Sequence, residues 1–261
     1  MSNLPELDQL QKYLQEVGPA DASAYMAELM PQVFLKEVVI QLKERFPDNT
    51  LYLGLADDGF PVLLNLHDPV PGPLLVAADK GAGKTAYLKM IAESLKELHD
   101  PSDVQYALLT AHPEEWEGAE QVPQCAGVFA FDHNSSNFIH SLAEWAHANK
   151  SNQSVVLLIN GLEHFAKLDS DAGDILRWFL LRGPARHVWP IATLDANQVA
   201  NWQTQPLLEF FRTRIYGRTT DRNASYTLTG SNVDFSELTD SQFAMREGQE
   251  YLNFWIPRLD E

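Results

Sequence analysis

A glycine-rich stretch between an apolar run and a helix-like segment constrains this chain more than any other feature. It runs from Ala78 to Thr85 and reads Ala-Asp-Lys-Gly-Ala-Gly-Lys-Thr. The pattern G-x-x-x-x-G-K-[ST] lets backbone N–H groups surround phosphate oxygens, and only its first glycine is missing, replaced by Ala78. The stretch is therefore predicted to bind a polyphosphate, with Lys84 on the phosphates and the Thr85 hydroxyl on Mg²⁺. The alternative is a glycine-rich turn before an ordinary helix.

The residues on either side of this loop have the patterns of a strand and a helix. Pro73 to Ala77 form a short apolar run, and apolar side chains then recur at helical spacing from Leu88 to Leu98. This order places the positive end of a helix at the phosphates. Asp79 is unusual, because its carboxylate repels phosphate, although Lys80 offsets that charge if both side chains point into solvent. The candidate nucleotide-binding residues of the loop are Ala78, Asp79, Lys80, Gly81, Ala82, Gly83, Lys84 and Thr85.

Apolar runs and helical stripes alternate along most of the chain. The predicted strands cover residues 51–55, 61–66, 73–77, 104–109, 127–131, 155–159, 189–193, 213–217 and 251–256. This alternation predicts an α/β P-loop NTPase fold, with a mainly parallel central sheet flanked by helices. Residues 1–48 carry only helical stripes, so we expect an N-terminal helical segment there and a nucleotide-binding domain over 49–261. Packing of the segment on the main core is the expected arrangement, and docking of a partner is the alternative.

Composition and charge narrow the classes of function. The formal net charge is −17, which argues against DNA as a partner because lysine and arginine supply most of the affinity for DNA. Arginines nevertheless concentrate between Arg177 and Arg222; this net positive segment favours internal ion pairing or a subunit interface, with a phosphate or polymer contact as the alternative. The sequence has no membrane-spanning run and no signal peptide, and its one cysteine, Cys125, excludes an internal disulfide framework. We therefore expect a cytoplasmic protein without a membrane partner.

The most continuous apolar run, Val155 to Ile159, predicts a central strand whose end bears on catalysis. In P-loop ATPases such a strand ends in an aspartate that holds Mg²⁺, often followed by a glutamate that activates water. Asn160 and Gly161 stand there in this chain. Glu163, three positions beyond Asn160, is a candidate for the missing base, although a solvent-exposed place at the start of the next helix is the simpler interpretation. Thr193, near the end of another predicted strand, is a candidate sensor of the γ-phosphate.

The order of these motifs resembles the FtsK/SpoIIIE/HerA group of P-loop motor ATPases, over roughly Leu53 to Arg258. The matching segments are 53–62, 73–85, 106–110, 180–193 and 212–226. The resemblance implies a RecA/ASCE-like fold, ATP and Mg²⁺ as ligands, and a ring-type homo-oligomer or a related ATPase subunit as partner, with a protein partner expected. It also implies that Arg214 reaches the nucleotide of a neighbouring subunit; an ion pair with the acidic body is the alternative.

The chain departs from the family pattern where the chemistry takes place. Ala78 replaces the first loop glycine, Asn160 the metal aspartate, Gly161 the catalytic glutamate, and Leu194 the glutamine after Ala-Thr. Three hypotheses follow. The first is an ATP-binding protein with impaired hydrolysis, a pseudo-ATPase that uses nucleotide to control conformation or assembly. The second is an active motor that translocates DNA or protein, with Glu163 or a partner supplying the base. The third is a scaffold whose P-loop is a relic.

Overall fold

A ten-stranded sheet organises the fold in the computed structural model, which describes residues 3–43 and 45–259. In chain order the strands are β1 (Thr50–Ala56), β2 (Pro61–Asn65), β3 (Leu74–Ala78), β4 (Val104–Thr110), β5 (Cys125–Ala130), β6 (Ser154–Asn160), β7 (Val188–Asp195), β8 (Thr213–Tyr216), β9 (Gln242–Glu247) and β10 (Glu250–Trp255). Their order across the sheet is β2-β1-β10-β9-β8-β3-β7-β6-β4-β5.

The sheet has a parallel part and an antiparallel part. Strands β8, β3, β7, β6, β4 and β5 run parallel to one another, which confirms the predicted α/β fold with a mainly parallel sheet. Strands β9, β10, β1 and β2 extend it antiparallel. Strand β9 was not among the predicted strands, because Gln242, Arg246 and Glu247 interrupt its apolar pattern. It forms because β8 and β10 pair with it on either side.

Helices cover both faces of the sheet. They are α1 (Leu7–Glu16), α2 (Pro19–Leu29), α3 (Leu35–Leu42), α4 (Lys84–Leu98), α5 (His133–Ala148), α6 (Ser170–Arg182) and α7 (Arg222–Thr229). Side chains alternate between the faces as a pleated strand requires: Leu74 and Val76 of β3 lie in the core with α4, and Leu75 and Ala77 lie in the core with α5 and α6. None of the helices in the described part is long and apolar enough to cross a lipid bilayer.

The N-terminal helices share a core with the P-loop helix. Leu10, Met26 and Val38 from α1, α2 and α3 are buried in the same cluster as Ile91 of α4. The backbone also connects the segment to the end of the fold, because Leu35 N donates to the Arg258 carbonyl and Arg258 N donates to the Val33 carbonyl. The helical segment therefore packs on the main core in this structure.

Candidate nucleotide-binding site

The glycine-rich loop connects β3 to α4, in the strand-loop-helix order that the sequence predicts. Gly81 and Gly83 have φ angles of +78° and +79°, in the left-handed region that glycine adopts without a steric penalty. Gly83 has a second constraint, because a Cβ atom there would collide with the backbone carbonyl oxygen of Asp240. The loop is therefore packed against the segment that precedes β9, and its conformation depends on glycine.

The Lys84 side chain folds back onto the loop and forms hydrogen bonds with its backbone. Its Nζ donates to the carbonyl oxygens of Ala78 and Asp79, at 2.8 and 2.7 Å. Burial lowers the pKa of Lys84, and the carboxylates of Asp195, Glu163 and Asp79 oppose that shift. The ammonium is thus held at the loop by carbonyl oxygens that phosphate oxygens can replace.

The alanine at the first loop position fits because glycine stands opposite. Ala78 is fully buried, and a Cβ atom on Gly217 would lie only 2.9 Å from the Ala78 Cβ and 3.0 Å from Phe243 Cε1. Gly217 N donates to the Ala77 carbonyl at 2.9 Å, which holds the two backbones together. The methyl group that Ala78 adds is therefore accommodated by the missing side chain at 217.

This pairing predicts that Gly217→Ala destabilises the protein, by about 1–3 kcal/mol as is usual for overpacking in a core. Ala78→Gly in the same chain should recover part of the loss, because it removes the methyl group that clashes. Urea unfolding measures the free energies. As a control, Gly173→Ala in α6 should be neutral or stabilising, since its Cβ would meet Phe165 at an ordinary 3.5 Å. Equal effects at 217 and 173 would contradict the pairing.

Asp79 does not point into solvent, which was the condition for Lys80 to offset its charge. Its Oδ2 accepts hydrogen bonds from Thr220 N and Thr220 Oγ1, at 2.9 and 2.7 Å. Its backbone N donates to the Arg218 carbonyl at 2.9 Å, and its Oδ1 is buried with no hydrogen-bond partner among the described residues. Lys80 is exposed. Asp79 therefore fastens the loop to the segment after β8.

Asn160 lies opposite Thr85, at the centre of a group of hydroxyl side chains. Thr85 Oγ1 is 3.5 Å from Asn160 Oδ1, which also accepts from Thr193 Oγ1 at 3.2 Å. Asn160 Nδ2 donates to Thr110 Oγ1 at 3.3 Å. The structure thus brings together three residues predicted on separate elements, Thr85, Asn160 and Thr193. Thr110 was not predicted as a site residue, although its position at the end of β4 was the available signal.

Glu163 is half-buried in the short helix that follows β6. Gly161, with φ +99°, turns the chain after β6 into a 3-10 helix, Leu162–Lys167. No group in residues 3–43 and 45–259 forms a hydrogen bond with the buried Oε2 of Glu163. Its charge opposes the lowering of the pKa of Lys84. Glu163 thus starts the next helix, as expected, but it is half-buried rather than exposed to solvent. Its role as a base stays a prediction.

Arg214 lies apart from these residues. Its guanidinium donates to the carbonyl oxygens of Leu208, Phe211 and Leu228, at 2.7, 3.2 and 2.6 Å. These bonds are to carbonyl oxygens rather than to an acidic side chain, and they satisfy the guanidinium within its own chain. Contact with a neighbouring subunit stays a prediction, and it requires these bonds to break.

A groove of about 680 Å³ lies beside the N-terminal half of α4. Ala86 and Lys89 of α4 line one side, and the Arg218–Asp240 ion pair, at 2.9 Å, stands on the other. The volume of the groove is within the range of pockets that bind small molecules.

The residues present fit a magnesium–nucleotide ligand. Thr85 and Asn160 offer neighbouring oxygen donors of the kind Mg²⁺ prefers, and Lys84 with the backbone of Gly81 and Gly83 offers donors for phosphate.

Asp195 was not predicted as a site residue. The structure places its backbone opposite Ala78, where β7 pairs with β3. The signal was again its position at the end of a parallel strand.

Comparison with known proteins identifies the fold. No protein-family model and no curated protein matches the chain. Among solved structures, EssC (ATPases 2 and 3) from Geobacillus thermodenitrificans superposes with a TM-score of 0.66 at 15% identity, over 82% of this chain and 45% of that chain. Thermomonospora curvata EccC (ATPases 2 and 3), in complex with a signal sequence peptide, gives 0.63 at 13%, over 82% and 41%. The pCW3 conjugation coupling protein TcpA with ATPγS gives 0.60 at 14%, over 82% and 67%.

These similarities concern the fold. The chain spans less than half the length of the EssC and EccC chains that it matches. It has the fold of an FtsK-like P-loop ATPase domain, which confirms the fold that the motif order implied.

Proposed function

We propose that this chain binds Mg-ATP at the P-loop and uses the bound nucleotide to hold one conformation or one assembly, with hydrolysis much slower than in a motor ATPase. The observation that carries the proposal is the contact between Thr85 and Asn160, whose side-chain oxygens are 3.5 Å apart. Thr85 follows Lys84 in the loop, and Asn160 stands where an active enzyme has aspartate. The phosphate-binding side keeps its lysine and hydroxyl, while the metal side has lost its charge at this position.

The chemistry of the site supports binding more than turnover. Lys84 and the loop backbone would hold the phosphates, Thr85 and Asn160 would hold Mg²⁺, and Thr193 would position Asn160 through its hydroxyl. When bound, Mg²⁺ neutralises phosphate charge. Gly161 has no side chain to activate water, and the loss of one such group typically lowers a rate by roughly 10²–10³-fold. Nucleotide at 100 times its dissociation constant still stabilises the bound state by about 2.7 kcal/mol, which suffices for a switch.

The solved structures with this fold support a nucleotide ligand and a protein partner. TcpA was solved with ATPγS, and EccC with a signal sequence peptide. By analogy with EccC we infer that the cargo or regulator of this chain is a protein. The resemblance of the motif order, and not these structures, motivates the further proposal that the chain works beside a second copy or a related ATPase subunit. The charge of −17 continues to argue against DNA.

A second candidate, an active ATPase, is favoured by Glu163. In the described part of the chain its Oε2 is buried and has no hydrogen-bond partner, and its charge acts on Lys84. This arrangement would suit a base displaced from position 161 to the following helix. In this alternative, Glu163 on the 3-10 helix takes the role of the glutamate that is missing at position 161.

One experiment separates these functions. The purified protein is incubated with excess Mg-ATP for hours, desalted rapidly and denatured, and the retained nucleotide is identified by chromatography. Stoichiometric intact ATP is the expected result and supports a switch. Recovery of ADP would favour the ATPase, and an empty protein would leave only the scaffold with a relic P-loop.

Glu163→Gln gives the second prediction. If the site only binds, the variant should retain as much ATP as wild type, because the amide keeps the shape and removes a charge that repels phosphate. If Glu163 is a base, conversion to ADP should fall roughly 100-fold. Glu16→Gln, an exposed change in α1, is the control. A fall in ADP formation confined to the variant at 163 would overturn the slow-hydrolysis proposal.

A further inference from the structure

A carboxylate from a different strand stands beside the P-loop. Asp195 is the last residue of β7, and its backbone pairs with Ala78, the first residue of the loop. The Ala78 carbonyl accepts the Lys84 ammonium at 2.8 Å, so Asp195 lies next to the residue that anchors that ammonium. Its charge is the largest of those that raise the pKa of Lys84.

Asp195 shares a face of the sheet with the residues of the candidate metal site. Residues two apart on a strand point to the same side of the sheet, so Asp195 lies on the same face as Thr193. The Thr193 hydroxyl donates to Asn160 Oδ1 at 3.2 Å. Ile191, two residues earlier, packs in the core that contains α4, whereas Leu194 packs in the opposite core. Asp195 is thus on the α4 side of the sheet, where Lys84 and Thr85 begin that helix.

One oxygen of this carboxylate remains available. Asp195 Oδ1 accepts from Asn197 N at 3.0 Å and from Asn197 Nδ2 at 3.1 Å, which caps the short helical turn 196–198. No donor in residues 3–43 and 45–259 bonds Oδ2. The side chain is half-buried, so Oδ2 is neither sequestered nor fully in solvent.

We propose that Asp195 supplies the carboxylate that holds Mg²⁺ at this site, in place of the acid missing at position 160. The inference rests on the proposed function, because it requires that the P-loop binds nucleotide. Mg²⁺ in nucleotide sites typically uses one or two carboxylates together with phosphate oxygens.

The charge of Asp195 should affect nucleotide binding in opposite directions with and without Mg²⁺. The negative charges of Asp195, Glu163 and Asp79 all act on Lys84, the residue expected to bind the phosphates. Asp195 therefore repels nucleotide when Mg²⁺ is absent and attracts it through Mg²⁺ when the ion is present. Removing the charge should have opposite effects in the two conditions, which mere structural damage does not produce.

The test is a Mg²⁺ titration of the full chain with the fluorescent analogue mant-ATP, in wild type and Asp195→Asn. Asparagine keeps the acceptor that caps 196–198. We expect the Mg²⁺ concentration for half-maximal binding to rise about tenfold, and the affinity in EDTA to stay equal or increase. Asp221→Asn is the matched control, because Asp221 also caps a helix through the residue two positions on, Asn223. It should leave both measurements unchanged.

The outcomes distinguish this inference from the proposed function. If wild type binds mant-ATP and Asp195→Asn shows the same Mg²⁺ dependence, Asp195 is not the metal carboxylate, while nucleotide binding stands. If the variant loses affinity equally in Mg²⁺ and EDTA, its role is structural and the inference fails. If wild type binds no nucleotide in either condition, the proposed function and this inference both fail.

Discussion

Replacing Lys84 with methionine is expected to lower ATP affinity by at least roughly 100-fold while leaving the nucleotide-free protein as stable as wild type or more so. The affinity falls because the ammonium that now bonds the Ala78 and Asp79 carbonyls is the group that would bond the phosphates, and charge-assisted hydrogen bonds are the strong ones. Methionine keeps the length and packing of the side chain without its charge.

The effect on stability follows from the lowered pKa of Lys84. Burial lowers the folded-state pKa below the unfolded value, so the unfolded chain binds more protons between those two pKa values. The ammonium therefore opposes folding below the folded-state pKa, and this cost disappears as pH rises through the window from the folded to the unfolded pKa. Methionine removes the cost at every pH.

Thermal unfolding with and without Mg-ATP measures both parts of this prediction. Wild type should gain about 2.7 kcal/mol at 100 times the dissociation constant, and Lys84→Met should gain almost nothing. Lys80→Met is the matched control in the same loop, because Lys80 is exposed and its loss should change affinity far less. A Lys84→Met protein that still gains the full ATP stabilisation would exclude the P-loop as the binding site.

Trp189→Ala should destabilise the protein by about 3–5 kcal/mol, the largest effect on folding that we expect from one side chain. Trp189 lies on the central strand β7, is 0% exposed, and donates its indole N–H to the Leu66 carbonyl at 3.0 Å. Alanine leaves a cavity beside the parallel strands and an unpaired carbonyl after β2.

Trp202 provides the matched control, because it is 77% exposed and lies outside the core. Trp202→Ala should change the free energy of unfolding by no more than about 0.5 kcal/mol. Urea unfolding followed by circular dichroism suits both variants, since each loses one tryptophan. Comparable losses for the two substitutions would show that β7 is not the packed centre of the fold.

Local patterns were enough to predict the elements that carry phosphate chemistry. The predicted strand 73–77 and helix after Lys84 correspond to β3 and α4, and the run 155–159 lies within β6. These predictions succeeded because a buried parallel strand needs a continuous apolar run and a P-loop needs glycines at fixed positions. The same patterns did not predict strand β9, because its conformation depends on its pairing partners and not on its own sequence pattern.

The contacts that distinguish this site were beyond the sequence for a different reason. Asp79 bonds Thr220, and Asp195 stands beside Ala78, across separations of more than a hundred residues. Only the strand order brings these residues together, and that order is a property of the whole chain. The solvent-exposed place expected for Glu163 was reasonable for an isolated segment, but in the packed fold its side chain is half-buried.

The strand order also determines when each strand can pair during synthesis. Strands β1 and β2 form a local hairpin, but β1 joins the rest of the sheet only through β10, roughly 200 residues later in the chain. During synthesis, which proceeds from the N-terminus, the hairpin must therefore wait with one edge unpaired until β10 has left the ribosome. Pairing of such distant segments is slow, and an open edge invites aggregation, so this chain should benefit from chaperones that shield β1 during that interval.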